Sequence, residues 1–260
     1  MGTTVHTMDP FPTPTDLAEN PETGRGHLWI LEAVEGIPLR FSLQEDGRLV
    51  FADEHRRLDP ADAPPAISPA IRQVQTAFHR DAFREAVEDP STVTFYGIAT
   101  CQHRIAYDWD RLPAFLGYDV RSPARGGLLA PEAAHASYDR LGLAPAPAVE
   151  REVRADAFDP DRYAFPTSAW ADCPVAGIRL ADKHGWRGHL SNTDHPDRPT
   201  PTFEDAAAAV DALLDADESG ETVEDVVDRL ARERRAELSA ADIDPTTGDF
   251  RRAVASALNR

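Results

Sequence analysis

Lysine is nearly missing from this chain: Lys183 stands alone among 260 residues, so almost all of the 27 basic residues are arginine. Two cysteines, Cys101 and Cys173, are too few for a disulfide framework or a structural zinc site. No apolar run approaches the roughly 20 residues of a membrane-spanning helix, so the sequence offers no such span. Met1 to Glu22 holds Pro, Thr and acids without an apolar segment and does not read as a signal peptide. The expectation is a flexible arm over residues 1–24 on a cytoplasmic protein. What the chain has in excess is acid. Asp plus Glu number 45, for a formal net charge of -18. A carboxylate-rich surface almost without lysine suits work in molar salt, where the screening length is only about 3 Å. An arginine-biased, GC-rich coding sequence accounts for the same arginine excess. This charge excludes a broad basic face for nucleic acid. High salt also removes counterion release, leaving any RNA contact to a few placed arginines and to stacking.

Hydrophobic residues make up 42% of the chain, enough for a core. His27 to Val34 reads as a strand, and Ile37, Leu39, Phe41 and Leu43 then alternate at the period of a half-buried strand. Glu45-Asp46-Gly47 signals a hairpin with Arg48 to Ala52 returning, so this region is expected to be an antiparallel meander. Beyond the Pro-rich stretch 60–69, Ile71, Val74, Phe78, Phe83 and Val87 suit an amphipathic helix broken near Asp81. Thr92 to Cys101 and Ala114 to Val120 read as buried strands, Pro131 to Leu141 as a short helix, and Val149 to Val153 as a strand. Pro174 to Ala181 and Trp186 to Ser191 form a second hairpin around Asp182-Lys183-His184-Gly185. From about residue 199 the pattern is helical. Thr202 and Thr222 each stand as an N-cap before acids, and three apolar stripes predict three helices over 199–260.

Four segments between His27 and Ser191 resemble motifs of the ATP-dependent RNA ligases, a family of the covalent nucleotidyltransferases. Phe95-Tyr96-Gly97, followed by Leu112-Pro113-Ala114-Phe115-Leu116-Gly117-Tyr118-Asp119, is similar to the family's Phe-Gly-Glu and Leu-Pro-x-Phe-x-x-Phe-Asp strands. Glu32-Ala33-Val34-Glu35-Gly36 is similar to the nucleotidyl-accepting Glu-Lys-x-Asp-Gly. Ala176-Gly177-Ile178-Arg179-Leu180 resembles Glu-Gly-Val-Val, and Trp186 to Leu190 sits where the family has Arg-Ala-Lys-Leu. The chain is thereby identified as a divergent, haloarchaeal-like member. The implied fold is α+β, a nucleotidyltransferase core of two antiparallel sheets with flanking helices over residues 25–198, plus the acidic helical unit over 199–260.

The departures from the motifs fall on the chemistry. In such ligases a lysine attacks the α-phosphate of ATP, helped by metal ions. Ala33 stands at that lysine, Ile98 at the strand glutamate, Ala176 at the glutamate that serves metal and phosphate, and His189 at a phosphate-neutralising lysine. The resemblance implies ATP and Mg²⁺ as cofactors and a nucleotide site of Glu32 at the adenine edge, Glu35, Gly36, Tyr118 stacked on the base, Arg179 and His189. The residues by themselves assign no cofactor and no metal. Glu32 reads equally well as a surface acid, and Gly36 as a residue serving a backbone turn.

Other groups were weighed for chemistry. Lys183 sits in a turn, where a solvated amine near its ordinary pKa of about 10.4 stays protonated. His184, His189, Asp194 and His195 crowd one segment without a zinc spacing. Cys101 and His103 share a strand face as thiol and base. Arg104, Arg111 and Arg179 are candidate phosphate ligands. The favoured expectation is a catalytically degenerate ligase relative that binds a nucleotide or an RNA end, or supports a protein partner through its C-terminal helices. The alternatives are an active RNA ligase or RNA-end-modifying enzyme with an atypical nucleophile, and a structural or regulatory interaction protein with a collapsed pocket. No membrane role is expected.

Overall fold

The computed structural model describes residues 8–194, 203–214 and 221–259. Eleven strands form two sheets. In chain order they are β1 (Thr15–Asp16), β2 (His27–Glu32), β3 (Gly36–Leu43), β4 (Leu49–Ala52), β5 (Arg57–Leu58), β6 (Thr94–Thr100), β7 (Phe115–Ser122), β8 (Gly127–Leu128), β9 (Ala148–Arg154), β10 (Gly177–Asp182) and β11 (Arg187–Ser191). The five-stranded sheet runs β1-β11-β10-β2-β9 and the six-stranded sheet β5-β4-β3-β6-β7-β8. All neighbours are antiparallel except β1 beside β11. The fold is α+β, as expected.

The expected meander is only half present. β3 and β4 do form the hairpin, with Gly47 at φ 84° and the Asp46 carboxylate accepting from the Arg48 N–H. β2, however, pairs with β10 and β9, not with β3. Both faces of β2 are apolar: Leu28 and Ile30 on one, Trp29 and Leu31 on the other. A strand with two apolar faces belongs at the centre of a covered sheet. The chain therefore crosses from one sheet to the other at Ala33–Glu35.

One face of the six-stranded sheet packs against the helices α1 (Ser68–Ala77), α2 (Arg80–Ala86) and α3 (Pro131–Arg140). Phe41 lies at its centre, stacked on Phe95 at 4.8 Å and edge-on to Phe78 and Phe115. The break between α1 and α2 falls at Phe78–His79, slightly before the Asp81 expected. The opposite face looks across at the five-stranded sheet, whose own outer face is covered by Leu17, Ala155 and Val175.

Two further expectations change. The arm over 1–24 is docked from residue 8 onward: Thr15–Asp16 adds an edge strand, and Leu17 is only 1% exposed. The tail holds four helices among the described residues, not three: α4 (Ala206–Leu213), α5 (Val223–Glu233), α6 (Arg235–Ala240) and α7 (Gly248–Leu258). α5 and α6 are one apolar stripe interrupted at Arg234, which leaves helical geometry. Thr222 caps α5 with a reciprocal Asp225 contact, a capping box. α4 is capped by Asp205, whereas Thr202 lies outside the described residues. Arg232 fastens this unit to the core, donating to the Thr100 and Leu112 carbonyls and lying over the Trp109 ring at 5.0 Å. Arg72 and Asp228 make a second ionic contact across the same boundary. Among the described residues no helix is long and apolar enough to cross a membrane.

Candidate functional site

The crossover from β2 to β3 carries Glu32 to Gly36 past the end of the inter-sheet cleft, where Ala33 donates its N–H to the Gly177 carbonyl. Both acids of this segment are consumed by the protein. Glu32, 2% exposed, accepts from the Ser168 hydroxyl at 2.5 Å and the Ala169 N–H at 3.0 Å. Burial raises its pKa, and the two hydrogen bonds oppose that rise. Glu32 is thus no surface acid; it anchors the 168–170 loop. Glu35 caps the N–H groups of His103, Arg104 and Ile105 with one oxygen and takes the Arg104 guanidinium on the other. Three successive amides around one carboxylate oxygen form an anion nest. Gly36 serves no turn. It lies within β3 opposite Thr100, and a Cβ there would stand 2.4 Å from the Ala99 carbonyl oxygen, so close strand approach explains the glycine.

Ile98 and Ala176 join Trp29, Leu31, Val34, Leu116 and Tyr118 in one buried apolar cluster between the sheets. Tyr118 is held at both ends. Its hydroxyl donates to the Glu32 carbonyl and accepts from the Val34 N–H, each at 3.2 Å, and Arg179 covers its ring at 4.3 Å. Burial pushes the phenol up to about 12. The ring expected to stack on a base carries a guanidinium of its own chain instead. His189 sits beside Arg179 in the β10–β11 pairing, its Nε2 at 3.2 Å from the Ser191 hydroxyl oxygen.

A bulge governs what enters the cleft from β7. The register slips between Tyr96 and Gly97, so Tyr118 and Asp119 both point toward the five-stranded sheet. Tyr138 on α3 locks the slip, its hydroxyl lying 2.8 Å from the Tyr96 carbonyl and 2.9 Å from that of Asp119. Asp119 then meets Arg187 of β11 at 2.7 Å, both side chains 6% exposed. Sequence reading missed this inter-sheet ion pair, although Asp119 follows Tyr118 and Arg187 precedes His189 by two. Ser168 gave no signal, because a loop residue 136 positions from Glu32 has no periodicity to betray it.

The remaining candidates do not converge on the crossover. Lys183 donates to Glu152 at 3.0 Å at the far end of β10, six residues from Gly177 and so about 20 Å from Ala33. Cys101 lies 3.7 Å from His103 Nε2, but burial pushes the thiol up to about 11 and lowers the imidazole, the reverse of what a thiolate nucleophile needs. Arg104 is committed to Glu35, and Arg111 lies 3.5 Å from Asp108. The His184 and Asp194 N–H groups bond to Asp182 and Asn192 in local turns. Among the described residues no three His, Cys, Asp or Glu side chains cluster as a metal site, and His195 lies outside them. The residues at the crossover do not fit lysyl-adenylate chemistry with ATP and Mg²⁺: the amine is absent and both carboxylates are engaged by the protein itself.

No protein-family model matches the chain, and neither does any curated protein. Solved structures do. The Naegleria gruberi RNA ligase with pyrophosphate superimposes with TM-score 0.52 at 12% identity, over 74% of this chain and 61% of that one. A variant of the same ligase with ATP and Mn gives TM-score 0.50 at 10% identity, over 68% and 52%. An archaeal ATP-dependent RNA ligase aligns at 14% identity over 96% of this chain and 62% of its own, with TM-score 0.48. The chain has the nucleotidyltransferase fold of RNA ligases, and it spans about three-fifths of the Naegleria enzyme's length.

Proposed function

We propose that this protein is a catalytically silent relative of the RNA ligases that forms no lysyl-adenylate and retains binding of a nucleotide or RNA end. One observation carries the first half: Ala33 stands where the amine is needed, while Glu32 and Glu35 are locked onto backbone loops. Restoring chemistry would require an amine and two freed acids at once. Arg179 and His189 support the second half, as adjacent cationic and polar groups on the cleft face of β10 and β11. Incubation with radiolabelled ATP and Mg²⁺ is expected to leave no protein-bound label. An alkali-stable, acid-labile protein-bound adenylate that disappears in Lys183→Ala would overturn the reading.

A second reading, an interaction protein with a collapsed pocket, draws on the Arg179–Tyr118 contact, which covers the ring expected to stack on a base. Thermal-shift titration separates the two. A ligand at 100 times its Kd adds about 2.7 kcal/mol of stability, so no shift with ATP, ADP and 5′-phosphorylated RNA at millimolar concentration favours the collapsed pocket.

A further inference from the structure

Away from the apolar cluster, the cleft-facing side of the six-stranded sheet brings three side chains together. Arg40 on β3 stands directly opposite Tyr96 on β6, and Arg121 on β7 stands opposite Thr94, diagonal to Tyr96. Tyr96 and Ile98 share this face, so the trio continues the inter-sheet surface. Residues Asp9–Phe11 lie over it. The Asp9 carboxylate is 3.0 Å from Arg121 Nε, and its carbonyl accepts from the Tyr96 hydroxyl at 3.4 Å. The Phe11 ring is 5.5 Å from the Tyr96 ring and 4.9 Å from the Arg40 guanidinium. From there the chain runs to β1 on the edge of the five-stranded sheet, so the segment bridges both sheets.

Two features mark this segment as a stand-in. First, the contact is incomplete: Arg40 Nε and Arg121 Nε are buried without a hydrogen-bond acceptor, the Asp9 carboxylate being close to the second but outside hydrogen-bond geometry. Only these Nε atoms are enclosed, the Arg121 and Asp9 side chains being 43% and 39% exposed, so a group with more acceptor oxygens than a single carboxylate can reach the guanidinium and satisfy it. Second, Pro10, Pro12 and Pro14 alternate with Phe11 and Thr13, holding the strap extended without hydrogen bonds of its own. Lifting such a strap would break no hydrogen bond between strands of either sheet.

We propose that Arg40, Arg121 and Tyr96 form a site for the 5′-phosphorylated end of an RNA, and that Asp9 and Phe11 occupy it by imitation, carboxylate for phosphate and ring for base. The phosphate would bridge the two guanidiniums, and the terminal base would stack on Tyr96 beneath Arg40, as base–aromatic and cation–π contacts allow. In a chain of net charge -18, covering such a site with the protein's own acid keeps it closed until a better anion competes. This rests on the reading that the chain engages RNA ends, and it names the place and the control.

The test is fluorescence anisotropy on the full chain with a short 3′-labelled RNA carrying either a 5′-phosphate or a 5′-hydroxyl, at one fixed salt concentration. The double variant Asp9→Ala, Phe11→Ala, which keeps Thr15–Leu17 docked, is expected to bind the 5′-phosphate RNA at least about tenfold more tightly than the unaltered protein. Adding Arg121→Ala or Arg40→Ala to it should remove the preference for phosphate over hydroxyl. Equal affinity of the unaltered and strap-released proteins overturns the proposal. RNA binding indifferent to both arginines also overturns it, while leaving RNA-end binding in place; absence of binding by every variant sinks both readings. Should the double variant fold poorly, the NMR order parameters of Phe11 and Thr13 in the unaltered protein decide. Lower order parameters with saturating 5′-phosphate RNA support displacement of the strap, and unchanged ones refute it.

Discussion

The two faces of the six-stranded sheet solve different problems. The helix-facing side is a packing surface: Phe41, Phe51, Phe95 and Phe115 interlock with Phe78, Phe83 and Tyr138, and nearly every contact is apolar or aromatic. The cleft-facing side mixes an apolar cluster with charges, and the charges are answered by the protein itself. Glu35 is met by backbone amides and Arg104, Asp119 by Arg187, and Tyr118 by Arg179. A binding cleft keeps convergent polar groups open for its ligand. Here most of them have been turned inward to hold the sheets and loops together, so residues at ligase-motif positions carry structural weight.

This contrast can be broken most sharply at Arg187. Arg187→Ala leaves Asp119 buried without a partner and is expected to destabilise the fold by about 3–5 kcal/mol in urea denaturation. Replacing both partners with apolar residues of similar volume should recover most of that loss; if it does not, the pair is doing more than joining the sheets. A smaller effect is expected at Glu35→Gln. A neutral amide cannot satisfy three amides and a guanidinium equally, and a loss of about 1–3 kcal/mol with faster amide exchange at residues 103–105 is expected. Exchange unchanged there would return Glu35 to the pool of ligand groups.

The smallest effect concerns pH. Burial raises the Glu32 pKa above its ordinary 4.5, so the folded state holds the proton more tightly than the unfolded chain. Its contribution is fully present below about pH 4.5 and is lost as pH rises through the raised value. Relative to Glu32→Gln, which does not titrate, the unaltered protein should therefore lose stability on going upward from that pH and then level off. Denaturation at a series of pH values in constant salt measures this, and a difference that grows with pH would contradict the burial account.

Much of the fold was legible in the sequence. The alternation of Ile37, Leu39, Phe41 and Leu43, the Asp46-Gly47 turn and the Thr222 cap each act locally, within a few residues, and each appears as expected. The order of the strands was less so: His27–Glu32 reads as a strand, but nothing within it says that its partner is Gly177–Asp182. The motif likeness identified Ala33, Ile98, Ala176, Tyr118 and His189 as neighbours in function. It left open whether the cleft among them is open or filled.

The sequence alone determined that the chain has no lysine at the crossover and only Lys183 anywhere, and a lysyl-adenylate cannot form without a lysine amine. It also determined the acidic balance and the local elements. The tertiary structure decided the rest: Ile98 and Ala176 enter one buried apolar cluster with Tyr118, Glu32 finds Ser168, and Arg187 finds Asp119. These contacts join segments far apart along the chain, and long-range pairing is fixed by the packing of whole sheets and by the single-residue bulge at Tyr118. A one-residue slip there would turn Asp119 to the helix face and leave Arg187 buried alone.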